Sequence, residues 1–69
     1  MDRKHVIAAR NHSYEGMLAA QYMQDSAKNK REAFIADSLY YAFWSSYNIL
    51  CELEKMETRK EMEARNGEP

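Results

Sequence analysis

The chain has 69 residues, and its ten basic and eleven acidic side chains leave a formal net charge of −1. A chain of this length has room for one domain, which buries only about 60% of the surface that its unfolded form exposes. The balanced charge argues against bulk binding to nucleic acid, and the apolar runs are far shorter than the roughly 20 residues that span a bilayer. Met1-Asp2-Arg3-Lys4 precedes no apolar signal core, so we expect a soluble, cytoplasmic protein.

Domains this small usually gain stability from disulfides, a metal or self-association. Cys51 is the only cysteine, so an internal disulfide is impossible, and a single thiol among apolar neighbours is typical of a reducing cytoplasm. His5, His12 and Cys51 lack the spacing of a zinc site. We therefore predict no metal and no cofactor, and a chain stabilised by a partner, most simply a second copy of itself.

The distribution of helix-breaking residues predicts an all-α protein. The only proline is Pro69, the only glycines are Gly16 and Gly67, and the chain is rich in Ala, Glu, Lys, Met and Leu. No segment alternates apolar and polar residues for long enough to indicate a strand. We predict a first helix over about residues 3–25 and a second over about residues 30–65, forming one domain (1–65), with a disordered tail at 66–69.

A turn is predicted at residues 25–29. Asn29 can cap the second helix, while Glu32 reaches back to the backbone N–H of the cap. Two alternatives stay open: a break of the first helix near residues 11–13, where Ser13 could cap a new start, and a single long helix in a coiled coil. The preferred architecture is an antiparallel helical hairpin that self-associates into a helical bundle.

The second helix is apolar over more than half of its circumference. One stripe, at steps of three and four, is expected to pack on the first helix: Ile35, Leu39, Ala42, Phe43, Ser46, Leu50 and Leu53. The expected partner stripe of the first helix consists of Gly16, Ala19, Ala20, Met23 and Ala27, with Ile7, Tyr14 and Leu18 beside it.

A second stripe lies about 100° around the same helix, and we call it the aromatic stripe: Tyr40, Trp44, Tyr47 and Cys51. One short helix cannot cover both stripes, so this one is predicted to be exposed in a single chain. Tyrosine and tryptophan are favoured where one protein meets another, because each has a wide apolar ring with a polar tip. The aromatic stripe is therefore the predicted self-association interface.

Positive charge gathers at the predicted turn and at the start of the second helix, in a basic cluster of Lys28, Lys30 and Arg31. Backbone N–H groups at a helix start attract anions. The rings of Tyr40, Trp44 and Tyr47 could stack on a base. Both sets together would make an inter-subunit nucleotide pocket, whereas the simpler interpretation is a solvated turn and packed rings.

Catalysis is not expected. His5 and His12 lie seven residues apart and share a helical face, which could support acid–base chemistry near neutral pH. However, the chain has no glycine-rich loop, no nucleophile beside a base and no carboxylate pair among apolar residues. A residual nuclease that uses these histidines is the last of three functional hypotheses.

Residues 38–50 (SLYYAFWSSYNIL) resemble the second core helix of the HEPN superfamily, in which Ser or Arg precedes Tyr-Tyr-Ala, an aromatic residue, small residues and leucines. Residues 14–23, with Leu-Ala-Ala, are similar to its first helix, so the resemblance covers about residues 13–53. It implies an up-down helical pair, dimerisation and a role around RNA cleavage, toxin–antitoxin pairs or nucleotide binding. RNA-cutting members carry an Arg and, four to six residues later, a His on a later helix. No histidine follows His12, so no catalytic residue is transferred, and the resemblance implies an inactive half-length version that completes its bundle with another chain.

Two other hypotheses rank above the nuclease. The first is a non-enzymatic cytoplasmic protein that forms homodimers or higher oligomers and acts as an inhibitor or adaptor by binding another protein, as small proteins of phages and mobile elements often do. The second is a nucleotide-sequestering protein whose inter-subunit pocket combines the basic cluster with the rings of the aromatic stripe.

Overall fold

The computed structural model describes residues 1–67, which form two antiparallel helices packed side by side. Helix α1 comprises Arg3–Ser26 and helix α2 comprises Lys30–Asn66. The described residues contain no strand, so the predicted all-α hairpin is confirmed, whereas the single long helix and the break near residues 11–13 are wrong. Asn66 is still helical and Gly67 lies in a turn; the remaining two residues of the predicted tail lie outside the described residues.

Both helices begin at a capping side chain. The Asp2 carboxylate accepts a hydrogen bond from the backbone N–H of Lys4 at 3.0 Å, and Asn29 Oδ1 accepts one from the N–H of Glu32 at 2.8 Å. The predicted cap at Asn29 is therefore confirmed. The predicted return bond is displaced by one residue, because Glu32 Oε1 accepts from the N–H of Lys28 at 3.1 Å and not from that of Asn29.

The face of α2 that packs on α1 differs from the predicted one. The contact face of α2, which alternates steps of four and three, consists of Ala36, Tyr40, Phe43, Tyr47, Leu50, Glu54, Glu57 and Glu61. The facing row on α1 has the same alternation: Arg3, Val6, Arg10, Ser13, Met17, Ala20, Gln24 and Ala27. This spacing is that of a two-stranded coiled coil. Of the stripe predicted for this contact, Phe43 and Leu50 belong to the contact face. Leu53 lies beside it and is half-buried, and the remaining four residues are exposed: Ile35, Leu39, Ala42 and Ser46.

Ion pairs at the open end of the hairpin explain the choice of face. Arg10 Nη1 bonds Glu54 Oε2, and Arg3 Nη1 lies 3.5 Å from Glu61 Oε2. The two arginines are seven residues apart on α1, and the two glutamates are seven residues apart on α2. The two ion pairs therefore fall in one row. Tyr40 and Tyr47 precede Glu54 and Glu61 in that same row, so turning the glutamates toward α1 turns these two rings toward it as well.

The interior of this hairpin is thin. Its buried apolar residues are Val6, Ala20 and Ala36, and no large side chain within residues 1–67 is completely buried. The molecule measures 63 × 14 × 13 Å, and its radius of gyration is 16.8 Å, against about 11 Å for a compact domain of the same length. Thirteen large apolar side chains within residues 1–67 keep more than a third of their surface exposed.

Within the described part of the chain, neither helix combines the length and the apolar character that crossing a membrane requires.

Candidate interaction surfaces

A second apolar row runs along one flank of α2, beside the contact face. It alternates steps of four and three over its whole length, and we call it the exposed seam: Ile35, Leu39, Ala42, Ser46, Ile49, Leu53 and Met56. Ile49 is 67% exposed, and Met56 and Ile35 are about half exposed. Helix α2 therefore carries two coiled-coil rows, of which α1 occupies one.

The α1 side of this flank consists mainly of small residues. Ala19 is exposed, Gly16 is half-buried, and the ring of Phe43 lies directly against the Gly16 backbone. Nearer the turn, Met23 and Ile35 line a shallow cleft of about 230 Å³. The small side chains of α1 leave the exposed seam as the most prominent apolar feature of this flank.

The aromatic stripe is divided between two environments. Tyr40, Tyr47 and Cys51 are half-buried beside α1, and the ring centroid of Tyr47 lies 5.9 Å from that of Tyr14 at an interplanar angle of 46°. The expectation that a single chain leaves these three side chains uncovered is therefore wrong. Tyr40 and Tyr47 lie in the row that the two ion pairs turn toward α1, and Cys51 lies beside that row, one turn after Tyr47. That the stripe binds a second chain stays a prediction.

Trp44 lies on the other flank of α2, where it is 47% exposed. Its ring meets that of Tyr41 edge to face, with centroids 6.1 Å apart and an interplanar angle of 68°, an arrangement that aromatic rings favour. Tyr41 is 70% exposed. Together with the exposed Phe34, which lies about two turns before Tyr41, these two rings form a surface that we call the aromatic flank.

The predicted nucleotide pocket does not assemble within one subunit. The cleft among the rings of Tyr40, Tyr41 and Trp44 has a volume of about 160 Å³, below the roughly 300 Å³ at which ligand pockets begin. The basic cluster is exposed at the turn and does not line this cleft. Tyr40 follows Lys30 by ten residues, which corresponds to about 15 Å along a helix.

The phenol of Tyr47 has a raised pKa. The Cys51 side chain one turn away raises the pKa of the Tyr47 phenol above its ordinary value of 10.0, first as a hydrogen-bond partner and then as a neighbouring charge, with partial burial adding to the effect. The cause is local, and the phenol stays neutral at physiological pH.

His5 and His12 are both exposed, and each lies near an acidic side chain three residues away. His5 Nδ1 lies 3.9 Å from Asp2 Oδ2 and His12 Nδ1 lies 3.8 Å from Glu15 Oε2, with both imidazoles about four-fifths exposed. A groove of about 660 Å³ near the open end of the hairpin has neither histidine in its lining. Residues 1–67 contain no group of three or more side chains placed to hold a metal ion.

No family model, curated protein or solved structure matches this chain. The resemblance of residues 13–53 to the HEPN superfamily therefore stays a prediction.

Proposed function

We propose that the chain is a non-enzymatic cytoplasmic protein that self-associates and acts as an inhibitor or adaptor by binding another protein. The observation that carries this proposal is the imbalance between a thin interior and a wide apolar exterior. Three small or medium apolar side chains are buried, whereas thirteen large ones within residues 1–67 are substantially exposed. Exposed apolar surface on this scale marks sites of association, and chains of this size commonly need a partner to be stable.

The exterior offers two separate apolar surfaces, which supports an adaptor or an inhibitor. The exposed seam and the aromatic flank lie on opposite sides of the line along which α1 contacts α2. If one of them is used for self-association, the other remains free for a different protein. Tyrosine and tryptophan, which form the aromatic flank, are the residues that most often dominate the binding energy of protein interfaces.

The shapes of these surfaces favour a protein over a small ligand. The clefts at Trp44 and at Met23 have volumes of about 160 and 230 Å³, and both are smaller than a typical ligand pocket. The groove of about 660 Å³ near the open end of the hairpin is large enough for a ligand, but no residue of the exposed seam or the aromatic flank lines it. A helix or an extended segment of another protein can lie along such a shallow apolar surface over many residues.

Native mass spectrometry of the purified full-length protein tests the proposal. We expect a dimer or a higher oligomer without a bound small molecule. A monomer at micromolar concentration would refute self-association, and a bound phosphate-containing compound would support the nucleotide-sequestering alternative.

Binding of another protein needs its own test. The wild-type chain and a Trp44→Ser variant are compared as immobilised baits, after both are shown to have the same helical content by circular dichroism. We expect a partner that the wild type retains and the variant loses. Identical sets of retained proteins would contradict a role of the aromatic flank in partner binding.

A further inference from the structure

We propose that the exposed seam binds the same seam of a second copy in antiparallel orientation, so that two hairpins form a four-helix assembly with their α2 helices in contact. This inference rests on the self-association in the proposed function and specifies its surface and orientation. It assigns that role to a row other than the aromatic stripe.

The spacing of the exposed seam identifies its partner as a helix with a matching row. From Ile35 to Met56 the steps of four and three repeat without interruption and without a charged residue, over about 32 Å of helix. Such a row is buried effectively only against another helix with the same repeat. Helix α2 already forms this kind of contact with α1 along its other row.

The only row of this sequence that matches the exposed seam is the seam itself, as carried by the α2 helix of a second copy. The coiled-coil row of helix α1 is already packed against α2. On the side of the exposed seam, α1 presents one large apolar residue, Met23, among polar or small residues: His5, His12, Gly16, Ala19 and Ser26. The α2 helix of a second copy, by contrast, presents four aliphatic residues and Met56 at the required spacing. A second copy is therefore the partner that the chain itself supplies.

The sizes of the side chains favour the antiparallel orientation. When Ser46 faces Ile49 of the second copy, the same register sets Ala42 against Leu53 and Leu39 against Met56. Each small side chain then meets a large one, which fills the interface without a void. In a parallel arrangement identical residues meet, so Ala42 faces Ala42 and Ser46 faces Ser46, leaving two adjacent layers underfilled.

The charges beside the seam agree with this orientation. Parallel helices would set Glu32, Lys60 and Glu63, which continue the seam at its two ends, each against its own copy, giving three contacts between like charges. In the antiparallel register the contact between like charges is that of Glu32 with Glu63 of the second copy. In the antiparallel register Ser45 lies near Glu52 of the second copy and Ser38 lies near Arg59. Lys60 falls beside Ile35, where its long aliphatic stem can cover the end of the seam while its ammonium group stays in water.

A matched pair of variants tests the location of the interface. Ile49 in the exposed seam and Tyr41 in the aromatic flank are large apolar residues of nearly equal exposure, 67% and 70%, so each is replaced by aspartate in the full-length protein. Sedimentation equilibrium then compares dimerisation with that of the wild type. We expect Ile49→Asp to weaken dimerisation by at least about 100-fold, because an unpaired charge would be buried twice in the symmetric interface, and Tyr41→Asp to leave it unchanged.

The outcomes separate this inference from the function on which it rests. A wild-type protein that is monomeric at all concentrations tested would refute the proposed self-association itself. A wild-type dimer that Ile49→Asp leaves intact, or that Tyr41→Asp alone dissociates, would overturn the assignment to the exposed seam while self-association stands.

Interchain disulfides test the orientation independently and do not depend on a destabilising charge. Single-cysteine chains carrying Leu39→Cys or Met56→Cys are made in a Cys51→Ala background, refolded separately or as a mixture, and oxidised with oxidised glutathione. Antiparallel packing sets each cysteine about 25 Å from its own copy, too far for a disulfide, so we expect covalent dimers in the mixture alone. Covalent dimers of Leu39→Cys by itself would indicate parallel packing, and the absence of any covalent dimer would overturn the proposed register.

Discussion

At the scale of single residues, the ring of Phe43 on α2 packs directly against the backbone of Gly16 on α1. The ring of Phe43 occupies the space into which a side chain at this position would extend, and a methyl group there would lie 2.7 Å from the ring Cγ. The clash involves the base of a ring that is held against α1, so it cannot be relieved by moving a flexible side-chain end. Glycine is required here because of packing, since its backbone is helical and has an ordinary negative φ.

Gly16→Ala is therefore expected to destabilise the protein. In an unobstructed helix alanine would be favoured over glycine by about 1 kcal/mol, but displacing the Phe43 ring should outweigh that gain and lower the free energy of unfolding by about 1–3 kcal/mol. Urea denaturation at a fixed protein concentration measures the change. As a control, the same substitution in a Phe43→Leu background should lower the free energy of unfolding by a smaller amount. If Gly16→Ala is as stable as the wild type, the Phe43 ring moves aside freely and the packing argument is wrong.

Tyr47 should ionise later than an ordinary tyrosine when the pH is raised. Because its pKa is raised by the Cys51 side chain, the folded state holds the phenol proton more tightly than the unfolded state does. The resulting stabilisation is fully present below pH 10.0, the ordinary pKa, and is lost as the pH rises through the folded-state value.

Absorbance of tyrosinate in a pH titration measures this effect. We expect one late phase, which disappears in Tyr47→Phe and moves toward the ordinary value in Cys51→Ala. A late phase that Cys51→Ala leaves unaltered would assign the perturbation to some other neighbour.

At the scale of the helices, local signals in the sequence predicted the elements well. The cap at Asn29 and the scarcity of glycine and proline are short-range features, and they set the turn and the helix bounds to within about one residue of those observed. Local hydrogen bonding to a cap does not depend on what the rest of the chain does. Such features can therefore be recognised before any tertiary contact is known.

The orientation of α2 about its own axis could not be predicted from apolar periodicity. Its two rows are both apolar between residues 35 and 53, so hydrophobic burial alone does not choose between them. The signal that does choose is a charge pattern: Arg3 and Arg10 on one helix, and Glu54 and Glu61 on the other, each seven residues apart. That pattern was available in the sequence and would have placed Tyr40 and Tyr47 against α1.

The two ion pairs should differ in their contribution to stability. The side chains of Arg10 and Glu54 are only 28% and 20% exposed, whereas those of Arg3 and Glu61 are 42% and 50% exposed. Removing Arg10 leaves a carboxylate partly desolvated without its partner, so Arg10→Gln should lower the free energy of unfolding by about 1–3 kcal/mol. The matched control Arg3→Gln should cost about 1 kcal/mol or less, because exposed pairs contribute little.

Chemical denaturation of both single variants, together with an Arg10→Glu/Glu54→Arg exchange that should recover part of the loss, checks this ranking. If Arg10→Gln and Arg3→Gln lower the free energy of unfolding equally, burial does not determine how much each ion pair contributes.

At the scale of the whole molecule, the hairpin resembles half of a helical bundle. Helix α1 covers one row of α2, while the exposed seam and the aromatic flank stay open on either side. A two-helix unit with so little buried apolar area is expected to have low stability on its own. The stability of the folded chain should then depend on association.

The midpoint of thermal unfolding should therefore rise with protein concentration. Folding coupled to dimerisation follows mass action, so the folded state gains free energy relative to unfolded chains as the total concentration increases. Circular dichroism melts over a hundredfold range of concentration test this expectation. A midpoint in the wild type that does not change with concentration would indicate a monomer that is stable on its own. For Ile49→Asp we expect a midpoint that is independent of concentration and lower than that of the wild type.

The rod-like outline of the hairpin affects how its mass must be determined. A particle more than four times as long as it is wide diffuses slowly for its mass, so on a sizing column a lone chain would elute where a considerably heavier globule is expected. Two rods joined along their sides gain girth but little length, so pairing would shift the elution position only slightly. Column calibration against spherical standards would thus overstate the mass of one chain and understate the difference between one chain and two, and light scattering at the column outlet avoids both errors.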